Sequence, residues 1–159
     1  MKLSFELNGK PWQVDCEPQE TLAEVLRNTL NLNGTKVSCE VQVCGACTVL
    51  VDGVPVSACT YLVYEARDKS VTTIEGLERA DGTLHPLQQA FIDEFAFQCG
   101  YCTPGMIMSA KALLDENPNP TRDEIIHHMD GNICRWTGYV PIVAAIQRAA
   151  EVMAREGKK

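Results

Sequence analysis

Cys39, Cys44, Cys47 and Cys59 follow the pattern C-x4-C-x2-C-x11-C, and no other feature of the chain narrows its fold as much. This is the plant-type [2Fe–2S] spacing. Ferric iron with bridging sulfides is electron-poor, so it needs thiolate ligands, and its charge must be met away from bulk water. The short intervals let three sulfurs wrap a cluster from one loop, and Cys59 arrives from the far side of a hairpin turning at Asp52-Gly53. Gly45 and Ala46 are small enough for backbone N–H groups to approach the cluster sulfurs and tune their potential. Zinc ribbons and buried free thiols are the structural alternatives. Ribbons pair two C-x2-C knuckles roughly 15–20 residues apart, whereas the interval from Cys47 to Cys99 is far longer.

The segment "MKLSFELNGKPWQVD" has no sustained apolar stretch and no twin arginine, so no export signal is read in it. Eight cysteines without such a signal point to reduced, metal-holding thiols in the cytoplasm rather than a disulfide framework. No run of about 18 apolar residues occurs, so no membrane span is expected. A net charge of −7 argues against a nucleic-acid partner.

Alternation through Leu3, Phe5 and Leu7, a turn at Asn8-Gly9, and renewed alternation at Trp12 and Val14 predict a hairpin with Trp12 in the core. Leu22, Val25, Leu26 and Leu30 have helical spacing. "CTVLVDGVPVSAC" reads as a second hairpin and "KSVTTIEG" as a last strand, which together make an α+β layer arrangement. Cys16 matches no ligand position and reads as a buried thiol.

After Glu78 the character changes. "RADGT" reads as a linker between a domain at 1–78 and a helical domain at 79–159. Leu84, Leu87, Phe91, Ile92 and Phe95 form one apolar stripe. Thr103 and Pro104 read as N-cap and first position of a helix that stops at Asn117-Pro118, and Met108 fits its core. Thr121 and Glu124 make a capping box, and Pro141 starts a last helix with Ile142, Ile146, Ala149 and Met153 inward. Short connections favour antiparallel packing, hence a four-helix bundle. His85 precedes Pro86 at a helix start and is assigned no function.

Cys99, Cys102 and Cys134 form a C-x2-C-x31-C remnant. By itself it would be weak, but Cys99 and Cys102 lie at a helix N-terminus, where the dipole and free N–H groups favour thiolates. Cys134 sits at another helix junction that antiparallel packing would bring near. Tyr101 and Met106 flank this site.

The stretches "GTKVSC", "CGACTVLVDG", "QCGYCTPGMIMSAKALL", "NPNPTRDEI" and "GNICRWTGY" resemble the small iron–sulfur subunit of the molybdenum hydroxylase (xanthine dehydrogenase) family, from about residue 3 to residue 150. The resemblance implies a ferredoxin-like (β-grasp) domain and a helical domain, each with one [2Fe–2S] cluster. It further implies a large subunit holding molybdopterin and a medium subunit holding FAD, with electrons passing from the first to the second through this chain, in a dimer of heterotrimers. Position by position, the ferredoxin-domain cluster falls on Cys39, Cys44, Cys47 and Cys59, and the other on Cys99, Cys102 and Cys134. Gln98 matches the position that hydrogen-bonds the pterin in relatives. Ser38 and Gln42 stand where many relatives have glycine.

The fourth ligand of the second cluster falls on Trp136, and an indole has no free lone pair for a metal. Three readings follow: a substitute ligand (water, Thr137, Asp130, His127 or His128), no cluster at this site, or an isolated substitution, natural or introduced. Loss of one thiolate leaves an iron coordination position exposed and raises the potential. Two rival functions belong to other classes: a free-standing ferredoxin with one intact cluster, and a zinc- or iron-stabilised adaptor. Neither accounts for "QCGYCTPGM". The chain shows no dinucleotide fingerprint and no nucleophile with a matched base, so the substrate site is expected on a partner.

Overall fold

The computed structural model describes residues 1–157. Strands β1 (Lys2–Leu7) and β2 (Lys10–Asp15) form the first hairpin, with Leu3 opposite Val14 and Phe5 opposite Trp12. Asn8 and Gly9 both take positive φ, 51° and 75°, as a type I′ turn requires. Strands β3 (Thr48–Val51) and β4 (Val54–Ser57) repeat the device at Asp52 and Gly53, with φ of 50° and 80°. With β5 (Ser70–Thr72) they complete one mixed sheet in the order β2-β1-β5-β3-β4, in which only the β1–β5 pair is parallel. The architecture is α+β, as expected.

The first helix is shorter and less regular than its apolar spacing predicts. It begins as α1 (Leu22–Glu24), closed by a capping box between Thr21 and Glu24. It then widens into a π-helical segment, Val25–Thr29, where the Leu30 N–H reaches back to the Val25 carbonyl at 3.0 Å. Leu22, Val25 and Leu26 are buried against Leu3, Phe5, Leu7 and Val71 of the sheet.

The second half contains α2 (Pro86–Asp93), α3 (Thr103–Glu116), α4 (Arg122–Met129) and α5 (Val140–Glu156). α2 packs on α5 and α3, and α4 packs on α3 and α5. Their core gathers Leu87, Phe91, Met106, Met108, Ile125, Ile142 and Ile146. Strand β3 belongs to both halves. Val49 and Val51 face the core of the sheet domain, while Leu50 is buried in the core of the helices with α3 laid across it. A strand covered on both faces loses the usual alternation, and all four residues of β3 are buried.

Three expectations are corrected. The apolar stripe holds at Leu87 and Phe91, but Ile92 turns outward on α2 and is exposed. Phe95 leaves the stripe because α2 ends at Asp93; it takes φ +50° and stands 78% exposed. Trp12 is 41% exposed because β2 is an edge strand whose main neighbour is β1 alone. Thr103 is the first helical residue of α3 rather than its cap; Cys102 precedes it as the N-cap, and the Thr103 hydroxyl is buried without a hydrogen-bond partner. The capping box of Thr121 and Glu124, the α3 stop at Asn117, and Ile142, Ile146 and Ala149 inward on α5 stand as read.

The two halves meet closely at Gly105. A Cβ there would run into the Gly45 carbonyl oxygen and come within 3.0 Å of that of Ala46. Helix propensity alone would make Gly105→Ala stabilising by about 1 kcal/mol, but overpacking against backbone costs about 1–3 kcal/mol. Because both obstacles are backbone, the cost falls at the upper end of that range, leaving a net loss of about 2 kcal/mol and a Tm roughly 4–8 °C lower. An unchanged or raised Tm, measured by thermal unfolding, would show that the halves do not meet through this glycine.

Candidate metal centres

The first cysteine loop is pinned from several directions. Arg27 donates to the carbonyl oxygens of Thr35 at 2.8 Å and Asn33 at 3.2 Å, fixing the entry to the loop. Glu40 and Gln42 take positive φ, 57° and 60°, a conformation that costs a non-glycine residue about 1–2 kcal/mol. That curl aims the N–H groups of Val43 and Cys44 at the Cys39 sulfur, at 3.3 and 3.4 Å. Glycine at position 42 would relieve this strain. Here the Gln42 side chain accepts a hydrogen bond from the Thr60 hydroxyl at 3.1 Å.

Cys59 is positioned by the helix it precedes in space rather than in sequence. The free N–H groups at the start of α1 donate to this turn, Leu22 to the Tyr61 carbonyl at 2.7 Å and Ala23 to the Ala58 carbonyl at 3.0 Å. The Ala58 N–H in turn donates to the Cys47 carbonyl at 3.3 Å. The four thiols thereby come together as two pairs, Cys39 beside Cys44 and Cys47 beside Cys59. A [2Fe–2S] cluster takes two protein ligands on each iron, so these residues fit that group. Their electrostatics differ. The N–H groups of Val41, Val43 and Cys44 bring the Cys39 thiol down to about 6, while burial pushes the Cys47 thiol up to about 12.

The second site is a pocket of about 200 Å³. Gln98, Cys99, Cys102, Cys134 and Trp136 line it together with Cys44 and Ala46 of the first loop. Cys102 and Cys134 form a pair like those of the first site. Burial, then the neighbouring Cys134, pushes the Cys102 thiol up to about 12. Burial also acts to raise Cys134, but the Thr137 hydroxyl and the N–H groups of Thr137 and Trp136 outweigh it and lower that thiol. The backbone of residue 136 therefore serves Cys134 whatever its side chain. Cys99 is exposed, beside Gln98 at the pocket's lip. Tyr101 lines the same pocket and donates to the Val37 carbonyl at 2.6 Å, while Met106 is wholly buried in the helical core. His127 and His128 do not line this pocket. Three thiols and an indole fit a cluster only in part.

The two sites share a junction that the sequence did not reveal. The Ile133 N–H, one residue before Cys134, donates to the carbonyl of Cys44 at 2.9 Å. Asn132 is 5% exposed, and its amide donates to the Gly45 carbonyl at 3.0 Å. Gly45 has φ +68°, and a Cβ there would strike the Asn132 side chain and the Gly131 carbonyl. The small residue at position 45 thus serves the approach of the second loop. Tyr139, held in the left-handed region at φ 68°, closes the far side by accepting the Cys134 N–H on its hydroxyl at 2.9 Å. The only signal in the sequence was an asparagine beside a glycine, which reads equally well as a turn.

Two family models match the chain: a 2Fe-2S iron-sulfur cluster binding domain over residues 5–83 and a [2Fe-2S] binding domain over residues 73–147. The small FeS subunit of the nicotinate dehydrogenase of Eubacterium barkeri is 46% identical, with 94% of each chain covered. The chain belongs to the small iron–sulfur subunits of the molybdenum hydroxylase family. Another such relative, the nicotine 6-hydroxylase small subunit of Paenarthrobacter nicotinovorans, is 47% identical over 92% of this chain and 87% of its own. Among solved structures, quinoline 2-oxidoreductase from Pseudomonas putida superposes with a TM-score of 0.94 at 44% identity, covering 100% of this chain and 98% of that one. The aldehyde oxidoreductase of Desulfovibrio desulfuricans gives 0.93 at 45% identity, where 98% of this small subunit corresponds to 17% of a longer chain.

With cluster removed, the small subunit's thiols should differ sharply in reactivity. Cys39, lowered to about 6, is a thiolate above that pH, whereas Cys47 and Cys102, raised to about 12, stay protonated at neutrality. Alkylation of the metal-free chain by iodoacetamide, read by peptide mass spectrometry, is expected to label Cys39 first, with a rate that climbs through pH 6 and levels off. Faster labelling of Cys47 at pH 7 would contradict the hydrogen-bonding account of the loop.

Proposed function

We propose that this chain is an electron-transfer subunit that relays electrons from a large subunit binding molybdopterin to a medium subunit binding FAD. The observation that carries the reading is the hydrogen bond from Ile133 N–H to the Cys44 carbonyl, which sets a residue of each cysteine loop against the other. In this reading Cys39, Cys44, Cys47 and Cys59 hold the first cluster, in a ferredoxin-like domain at 1–78. Cys99, Cys102 and Cys134 hold the second, in a domain at 79–159 whose four helices we read as a bundle. When bound, the clusters supply one-electron carriers.

The chain's own residues do the rest. Burial of Cys47, Cys59 and Cys134 keeps water from the sulfurs. N–H groups on Cys39 and Cys134 stabilise their thiolate charge. Val41 and Val43 are exposed beside Cys39, and Phe95, Phe97 and Ile133 are exposed near Cys99. Such apolar rims suit two docked partners, one at each site. Gln98 lines the second pocket, and in this reading it hydrogen-bonds a pterin edge. Among the described residues no helix is long and apolar enough to cross a membrane, and we place the assembly, a dimer of heterotrimers, in the cytoplasm. Substrate choice belongs to the large subunit.

The alternative, a free-standing ferredoxin-type carrier with one intact cluster, predicts a chain that travels alone. Affinity purification of the tagged chain from its native host is expected to bring down a large molybdenum-containing chain and a flavin-containing chain in equal proportion. Elution of a coloured monomer without them would favour the alternative.

A further inference from the structure

At the second site the shortfall of ligands falls on one iron. At the first site the thiols come as two pairs, and at the second Cys102 with Cys134 repeats one such pair. Cys99 is left to form the other, and the residue in its partner's place is Trp136. The indole offers no lone pair to a metal; Trp136 lines the pocket with Cys99 and leaves 66% of its surface in solvent.

No residue weighed as a substitute is in place. The His127 side chain is 91% exposed and faces Asp130 at 3.7 Å. The His128 Nε2 is engaged with the Ser109 carbonyl at 3.0 Å. Asp130 lines a separate concavity with Tyr139 and Ile142 at the start of α5. The Thr137 hydroxyl sits at the sulfur of Cys134, in the completed pair, and accepts the Tyr139 N–H at 3.3 Å. Tyr101 is committed to the Val37 carbonyl. Ser38 and Gln98 line the pocket but bring only a neutral hydroxyl and amide, weak competitors for iron beside a small anion. Arg135, also in the lining, is a cation that cannot ligate but favours negative charge nearby.

We infer that the second cluster is held by three protein ligands, and that the iron carried by Cys99 takes its fourth ligand from solution as a small anionic donor such as a thiolate, hydroxide or cyanide. Cys99 is exposed and Trp136 lies largely in solvent, so this side of the site opens to water and a small donor can reach it. The small subunit would thereby carry an exchangeable iron position that a four-cysteine site lacks. The inference rests on the two-cluster reading of the chain.

The test is EPR of the full chain, reconstituted and reduced by dithionite without oxygen, before and after addition of cyanide or 2-mercaptoethanol. Two signals are expected, one whose g-values shift with either probe and one that does not move. Trp136→Cys should retain both signals and abolish the shift, while Trp136→Ala should respond as the unaltered chain does. A second signal indifferent to both probes, or altered by Ser38→Ala instead, would place the fourth ligand on the chain and overturn the inference. So would a single unshifted signal with two irons per chain. Loss of the unmoving signal, by contrast, would count against the function proposed above.

Discussion

One buried contact between two loops carries the rest of the structure. The carbonyls of Cys44 and Gly45 receive the Ile133 N–H and the Asn132 amide, and Gly105 brings α3 up against the same turn. The Gly45 carbonyl also accepts the Thr48 N–H and hydroxyl. The Asn132 amide, however, is buried and depends on this turn for its acceptors, and a buried donor left alone costs about 1–3 kcal/mol. The two cysteine loops are therefore fixed relative to each other by the fold. A relay needs that property, because the distance between its carriers must not wander.

The same constraint explains why the two halves are not independent beads. β3 gives Val49 and Val51 to one core and Leu50 to the other. Burying a leucine contributes about 1.5–3 kcal/mol, so parting the halves would expose Leu50 as well as break the loop contact. The chain that leads into the first cluster loop is tied to the helical half too, through the Tyr101 hydroxyl on the Val37 carbonyl. The sites are built from both halves at once.

Much of this was legible because it is local. Asn8-Gly9 and Asp52-Gly53 demand positive φ and specify their hairpins within two residues. The cysteine quartet announced its chemistry by spacing, and Thr121 with Glu124 announced a helix start. What stayed hidden depends on approach between distant segments. Asn132 and Gly45 are 87 positions apart, and nothing in either residue says that they meet. The spacing of Leu22 to Leu30 suggested an ordinary helix, yet the chain shifts into a π-helical turn after Glu24. Phe95 and Trp12 were misplaced for a related reason, since periodicity records which side chains are apolar but not where the covering element ends. The pairing of the thiols, Cys102 beside Cys134 among them, emerges only from the folded loops.

The most direct measurement is EPR of the anaerobically reduced chain at low temperature, with iron and acid-labile sulfide counted on the same sample. A rigid junction between the two loops predicts four irons per chain and two signals, each split or broadened by the other as relaxation slows. One signal with two irons, or two signals that add without mutual splitting, would contradict a relay built on the contact between Cys44 and Ile133.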